Sequence, residues 1–157
     1  MMIRLAIVAA LYIVLTVLIS PLSYGAIQLR FSEILVLLVF YKKEYGISIV
    51  LGCFVANIFS PLGWIDMLFG TASSIFAVVT IRACKHLLVA TIMPTISCIF
   101  VGIELMIVFD LPFLITTLQV MAGEFIVVTL LGYPLFKLLE KNKSFMEIIA
   151  MKKEINE

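Results

Sequence analysis

Charge is what this chain has least of. Only 13% of its 157 residues are charged, against roughly a quarter in soluble globular domains. Together with 64% hydrophobic residues and a mean hydropathy of +1.23, that scarcity excludes an ordinary soluble fold. The net charge of +1 comes without the clustered basic residues that nucleic-acid binding needs, so no nucleic-acid partner is expected. Cysteine is sparse as well. Cys53, Cys84 and Cys98 fall in separate segments without C-x-x-C spacing and read as packing residues. The single histidine, His86, fits no zinc-type spacing, so no metal site is expected. No G-x-x-x-x-G-K-[ST] phosphate loop occurs, and any ATP used must be bound by another subunit. No nucleophile and base pair or H-E-x-x-H motif supports an intramembrane enzyme, and no cofactor is expected.

What the chain has is apolar runs. A hydrocarbon core about 30 Å thick takes about 20 apolar residues per spanning helix. Charges and Pro/Gly clusters divide the chain into runs at 3–19, 32–41, 45–59, 65–81, 87–109 and 112–136. They predict an all-α integral membrane protein of six transmembrane helices, one membrane domain over 1–157 with a tail at 137–157. The opening run lacks a small-x-small cleavage site and is read as a retained helix. Pro94 predicts a kink in the fifth helix. Basic residues collect in cytoplasmic loops. With both termini cytoplasmic, ten of the eleven fall inside, and the exception is Arg30.

The acids are distributed the other way. Glu33, Asp66, Glu104, Asp110 and Glu124 all fall in the outer half, with Asn57 near the outer end of the third helix. A charge at the bilayer centre costs at least about 2.5 kcal/mol and normally faces a partner or a cavity. An outward-opening polar pocket accounts for all of them together. Bland readings exist for several. Asp66 and Glu33 suit helix N-terminal dipoles, Arg30 and Glu33 suit an i, i+3 pair, Asn57 suits a bridge between helices, and Asp110 suits a solvated turn. Glu104 and Glu124 have no intramembrane cation to neutralise them, which favours a site, with a protonated acid as the competing reading.

Residues Ile27 to Ser32 alternate apolar and polar, which favours an extended approach to the second helix and would turn Gln28 and Arg30 toward a cavity. A helix starting near Ala26 is the rival reading. Tyr24, Phe31, Trp64, Phe69 and Phe113 accompany the outer face, where aromatics gather at membrane interfaces in any case. Trp64 and Phe31 are the candidates to cover a planar ligand. On the first helix, Ala6 and Ala10 share a face in a small-x-x-x-small pattern that suits close helix packing, internal or with a partner.

The segments "SPLSYGAIQLRFSE" and "GCFVANIFSPLGWIDMLFG", with "GIE" at 102–104, "GE" at 123–124 and "GYP" at 132–134, resemble the queuosine-precursor transporter (QueT) family. The resemblance runs from about Ala6 to Pro134. It implies a six-helix S component of an energy-coupling factor (ECF) transporter, working in the cell membrane with a transmembrane coupling subunit and two ATPases. It further implies a substrate such as 7-aminomethyl-7-deazaguanine (preQ1), and docking of the coupling subunit on the Ala6 and Ala10 face. Such a base wants a carboxylate for its N1-H and N2-H edge, a second for its amine, and a donor to O6. Glu104 and Glu124 suit the first two jobs with Glu33 or Asp66 in reserve, and Gln28, Arg30 or Asn57 suit the third. Uptake of another vitamin-like substrate and a self-sufficient small carrier, its acids relaying protons, are the alternatives.

Overall fold

A computed structural model describes residues 2–23 and 28–150. The described residues are helical throughout their regular structure, with no strand among them. Six apolar helices carry the fold: α1 (Met2–Leu18), α2 (Phe31–Tyr41), α3 (Tyr45–Asn57), α4 (Trp64–Ala83), α5 (Leu87–Phe109) and α6 (Phe113–Leu139). A single helical turn, Ser20–Ser23, follows the first of them, and a further amphipathic helix, α7 (Lys143–Ala150), follows the last. The last three of the six are long and apolar enough to cross a membrane, and the first three are shorter. Tyr24 and residues 25–27 of the extended stretch lie outside the described residues, as does the tail beyond Ala150.

α1 packs on α3, α3 on α4, α4 on both halves of α5, and the second half of α5 on the start of α6. α2 lies across the interior against α1 and α6. The core it helps form holds Tyr12, Val36, Leu37, Val39, Ile49 and Val127, all with no exposed surface. The outward faces remain apolar, as on α1, where Ile3, Ile7, Val14 and Leu18 are exposed. Such continuous apolar exposure suits contact with lipid rather than water.

Three helices depart from α geometry in their middle or at their start. α2 begins as a 3₁₀-helix over Phe31–Leu37, α6 turns π-helical over Phe125–Gly132, and α5 is interrupted at Cys98 between Leu87–Ser97 and Ile99–Phe109. Pro94, inside the first half of α5, removes one backbone donor and crowds the carbonyl a turn earlier. Side chains take over part of the bonding there. Ser97 Oγ donates to Pro94 O at 2.7 Å, and Thr129 Oγ1, from the π segment, donates to Thr91 O at 3.2 Å. The 3₁₀ and π segments pack directly on each other.

One end of the molecule gathers the basic residues. Arg82 donates to Lys43 O at 2.7 Å, closing the C-terminal end of α4 over the α2–α3 turn. Arg4 donates to Ile148 O at 2.5 Å and Tyr45 Oη to Ile149 O at 3.4 Å, which fastens α7 beneath α1 and α3. Asn142 Oδ1 accepts from Phe145 N at 3.3 Å, a side-chain cap on the first turn of α7.

Candidate functional site

At the opposite end, residues 28–30 lead non-helically into α2 and carry buried side chains with them. Gln28 has φ 47°, a left-handed value uncommon outside glycine, and Arg30 has the extended pair −89°, 93°. Gln28 O accepts from Arg30 N at 3.0 Å. Residues 28–30 are therefore non-helical. Arg30 has the extended conformation the alternation predicts, but Gln28 is left-handed and the chain turns tightly between Gln28 and Arg30. Winding of the 3₁₀ type begins at Phe31, so Phe31 and Ser32 are helical rather than extended. The Gln28 and Arg30 side chains end up buried, at 8% and 6% exposure.

Arg30 organises what surrounds it. Its Nε donates to Ser23 O at 3.3 Å, and its Nη2 donates to Asn57 Oδ1 at 3.0 Å and lies 3.6 Å from Asp66 Oδ1. Asn57 Nδ2 in turn donates to Asp66 O at 3.0 Å, so the end of α3 is tied to the first turn of α4. Gly70 makes this approach possible, since a Cβ there would strike Asn57 Nδ2. Glu33 sits one turn along α2, where it accepts from Tyr12 Oη of α1. Beside that bond, Thr16 Oγ1 and Ser32 Oγ are paired at 2.6 Å.

Glu104 and Glu124 are treated differently. Glu104 has no exposed surface, and neither carboxylate oxygen has a hydrogen-bond partner. Glu124, the last residue before the π segment, is 6% exposed and has no hydrogen bond among the described residues. Among the described residues there are thus four buried carboxylates, Glu33, Asp66, Glu104 and Glu124, to one buried guanidinium. Unbalanced charge in a low-dielectric interior is costly, and a cationic guest relieves it.

Two spaces meet this cluster. The larger, about 460 Å³, is an open vestibule walled by the Ser60–Leu62 turn, Asp66, and the α5–α6 corner with Leu105, Phe109, Thr116 and Gln119. Its size falls in the range of small-molecule sites, about 300–1,000 Å³. The smaller, about 20 Å³, lies deeper, between Arg30, Glu33, Ser73, Ser97 and Glu124. Gln28 lines both.

The structure therefore brings Gln28, Arg30, Glu33, Asn57, Asp66 and Glu124 into one region, while Glu104, fully buried and next to Leu105 in sequence, itself lines neither space. Phe31 is half-buried and lines neither space. Trp64 is not brought there. It is 72% exposed, in a shallow apolar groove with Phe54, Leu68 and Ile75, because α4 starts with that side chain on its outer face. Ala6 and Ala10 lie on the exposed face of α1, and the neighbouring Ala9 is half-buried. Asp110 is an exposed left-handed turn residue, φ 52°. Tyr12, Phe109, Gln119 and the serines were not singled out by the sequence. Gln119, an amide in an apolar run, was the one with a legible signal.

A carboxylate-rich floor beneath an open vestibule, set among helices with apolar outer faces, defines a membrane protein that handles a small polar solute. The family described as QueT transporter matches residues 2–141 of the chain. The chain is also 33% identical over 140 residues to the queuosine precursor transporter QueT of Lactococcus lactis subsp. cremoris (strain MG1363), a match that takes in 78% of this chain and 82% of that protein. The chain belongs to the QueT transporter family. It is a multi-pass cell-membrane transporter, not an enzyme. No solved structure matches it.

Proposed function

We propose that the chain is the substrate-binding S component of an ECF-type importer, and that it takes up a queuosine precursor, preQ1 or a related 7-deazaguanine. Its six helices span the membrane, with both termini and the Arg4, Lys43 and Arg82 end in the cytoplasm and the vestibule outside. The observation that carries the reading is the charge imbalance beneath the vestibule, four buried carboxylates to one guanidinium. That floor suits a cationic, donor-rich guest and repels an anion. Its relative in Lactococcus lactis is named for a queuosine precursor.

The acids divide by prior engagement. Asp66 is paired with Arg30 and Glu33 accepts from Tyr12, whereas Glu104 and Glu124 lack hydrogen bonds. These two are free to serve the guanine edge and the amine, a carboxylate accepting N1-H and N2-H as a bidentate pair. Gln28 and Arg30 line the cavities and serve as the donors to O6, whereas Asn57 lines neither and has its amide engaged by Arg30 and Asp66 O. Phe109 and Leu105 in the vestibule wall, rather than Trp64, are placed to cover the ring. The exposed Ala6 and Ala10 face of α1 receives the coupling subunit, whose two ATPases supply the energy.

Calorimetric titration of the purified protein with preQ1 tests the substrate. Saturable binding is expected, and its absence refutes the reading. Glu104→Gln should weaken binding by about 1.5 kcal/mol or more through loss of a charged hydrogen bond. Uptake into vesicles lacking the coupling and ATPase subunits is expected to be nil, and uptake there would favour a self-sufficient carrier.

A further inference from the structure

The deep chamber has a wall of unusual polarity. Ser73 Oγ lies 3.0 Å from Ser97 O and 2.9 Å from Ser97 Oγ, and donates its proton to one of them. Ser97 Oγ donates to Pro94 O at 2.7 Å, a carbonyl in the proline-distorted half of α5. Both hydroxyl protons are thus committed to the protein, and what these oxygens have left to offer is lone pairs. Glu33 spends one oxygen on Tyr12, and Glu124, 94% buried by its 6% exposure, has both oxygens without a hydrogen bond. Arg30 is the cation in this wall, and Asn57, Asp66 and Ser23 O already engage it.

The chamber therefore accepts hydrogen bonds from several sides and carries two carboxylates. Its volume of about 20 Å³ holds one group the size of a water. A primary ammonium matches it, being compact, positively charged and carrying three donors with no acceptor. A carboxylate, a carbonyl or a nitrile would face the carboxylates of Glu33 and Glu124 and the lone pairs of Ser73 and Ser97, with donors only from the Gln28 amide, Ser74 and the already engaged Arg30. The chamber adjoins the vestibule at Gln28, so a short arm on a ring held in the vestibule reaches it.

We propose that this chamber, with Glu124 as its anion and Ser73 and Ser97 as oriented acceptors, is the seat of the ligand's primary ammonium and selects 7-deazaguanines with an aminomethyl arm over those with a neutral arm. The inference rests on the reading that a 7-deazaguanine is bound, and it gives Glu124 the amine, leaving Glu104 for the ring edge. Selection resides in the arm, not in the purine-like ring.

Calorimetry on the full-length protein with 7-aminomethyl- and 7-cyano-7-deazaguanine tests it. The wild type should bind the aminomethyl ligand about 10- to 150-fold more tightly, the range expected of a charged hydrogen bond. Glu124→Gln should abolish most of that preference while keeping the affinity for the cyano ligand, which also reports that the variant is folded. Should that variant fail to fold, Ser97→Ala should lower the aminomethyl affinity several-fold and leave the cyano affinity unchanged. Glu104→Gln should weaken both ligands alike. A wild type without preference, or equal losses for both ligands in Glu124→Gln and Ser97→Ala, overturns the assignment while leaving the transport reading intact. Binding of neither ligand by the wild type overturns the 7-deazaguanine reading itself.

Discussion

Arg30 shows how much one residue settles. Its guanidinium reaches the carbonyl of Ser23, the amide of Asn57 and the carboxylate of Asp66, so a single fork ties the chain before α2 to the junction of α3 and α4. Removing one partner of a buried ion pair costs about 3–5 kcal/mol, because the other charge stays buried. Arg30→Gln should accordingly lower the melting temperature of the detergent-purified protein markedly, and adding Asp66→Asn should restore part of the loss. An unchanged melting temperature in the single variant would remove the pair from the stability argument. Gly70 supports the same junction by having no side chain. A methyl at Gly70→Ala would collide with Asn57 Nδ2, and the expected cost is about 1–3 kcal/mol, read from the same melting measurement. The sequence marked Arg30 as the one outward cation, yet its bond to Asn57 joins residues 27 positions apart and has no local signature.

At the scale of elements, the apolar runs locate the helices closely. The run 87–109 matches α5 at both ends, and the other runs differ from their helices by a few residues. Winding is another matter. Nothing in "FSEILVL" distinguishes a 3₁₀ from an α segment, because its two polar residues, Ser32 and Glu33, are adjacent and the rest is apolar, which hides the period of burial. The same holds for "FIVVTLLG" and its π turns. Tyr12 was illegible for a related reason, since a tyrosine in an apolar helix reads as easily for the membrane interface as for a buried donor. Glycine in the loop before α4 was legible as punctuation, and the structure gives it a sharper role. Gly63 caps α4 with φ 58° and ψ −123°, a region that side chains disfavour. Gly63→Ala should destabilise by about 1–3 kcal/mol of backbone strain, although the site has open space for a methyl. Thermal unfolding checks this, and an unaffected midpoint would mean the turn relaxes freely.

For the whole molecule, two opposite ends carry different chemistry. One collects Arg4, Lys43 and Arg82 with the fastened α7, and the other holds the vestibule. Along α1 the molecule also presents Ala6 and Ala10 outward with Ile3 and Ile7, a face low enough for a helix to approach closely. On the proposed S-component reading, Ala6→Trp or Ala10→Trp should sharply reduce co-purification with an ECF coupling subunit and leave preQ1 affinity unchanged. Loss of both would place these alanines in internal packing, and loss of neither would move the docking face.

The tight winding of α2 also acts as a ruler. A 3₁₀ turn advances about 2.0 Å per residue and an α turn about 1.5 Å. Over the seven residues of Phe31–Leu37, rewinding to α would shorten the segment by about 3.5 Å. With Tyr41 held at the far end, the guanidinium would then be drawn out of reach of Asn57, which it now meets at 3.0 Å. The depth at which the cation stands among the acids is therefore metered by backbone pitch rather than by the length of its side chain.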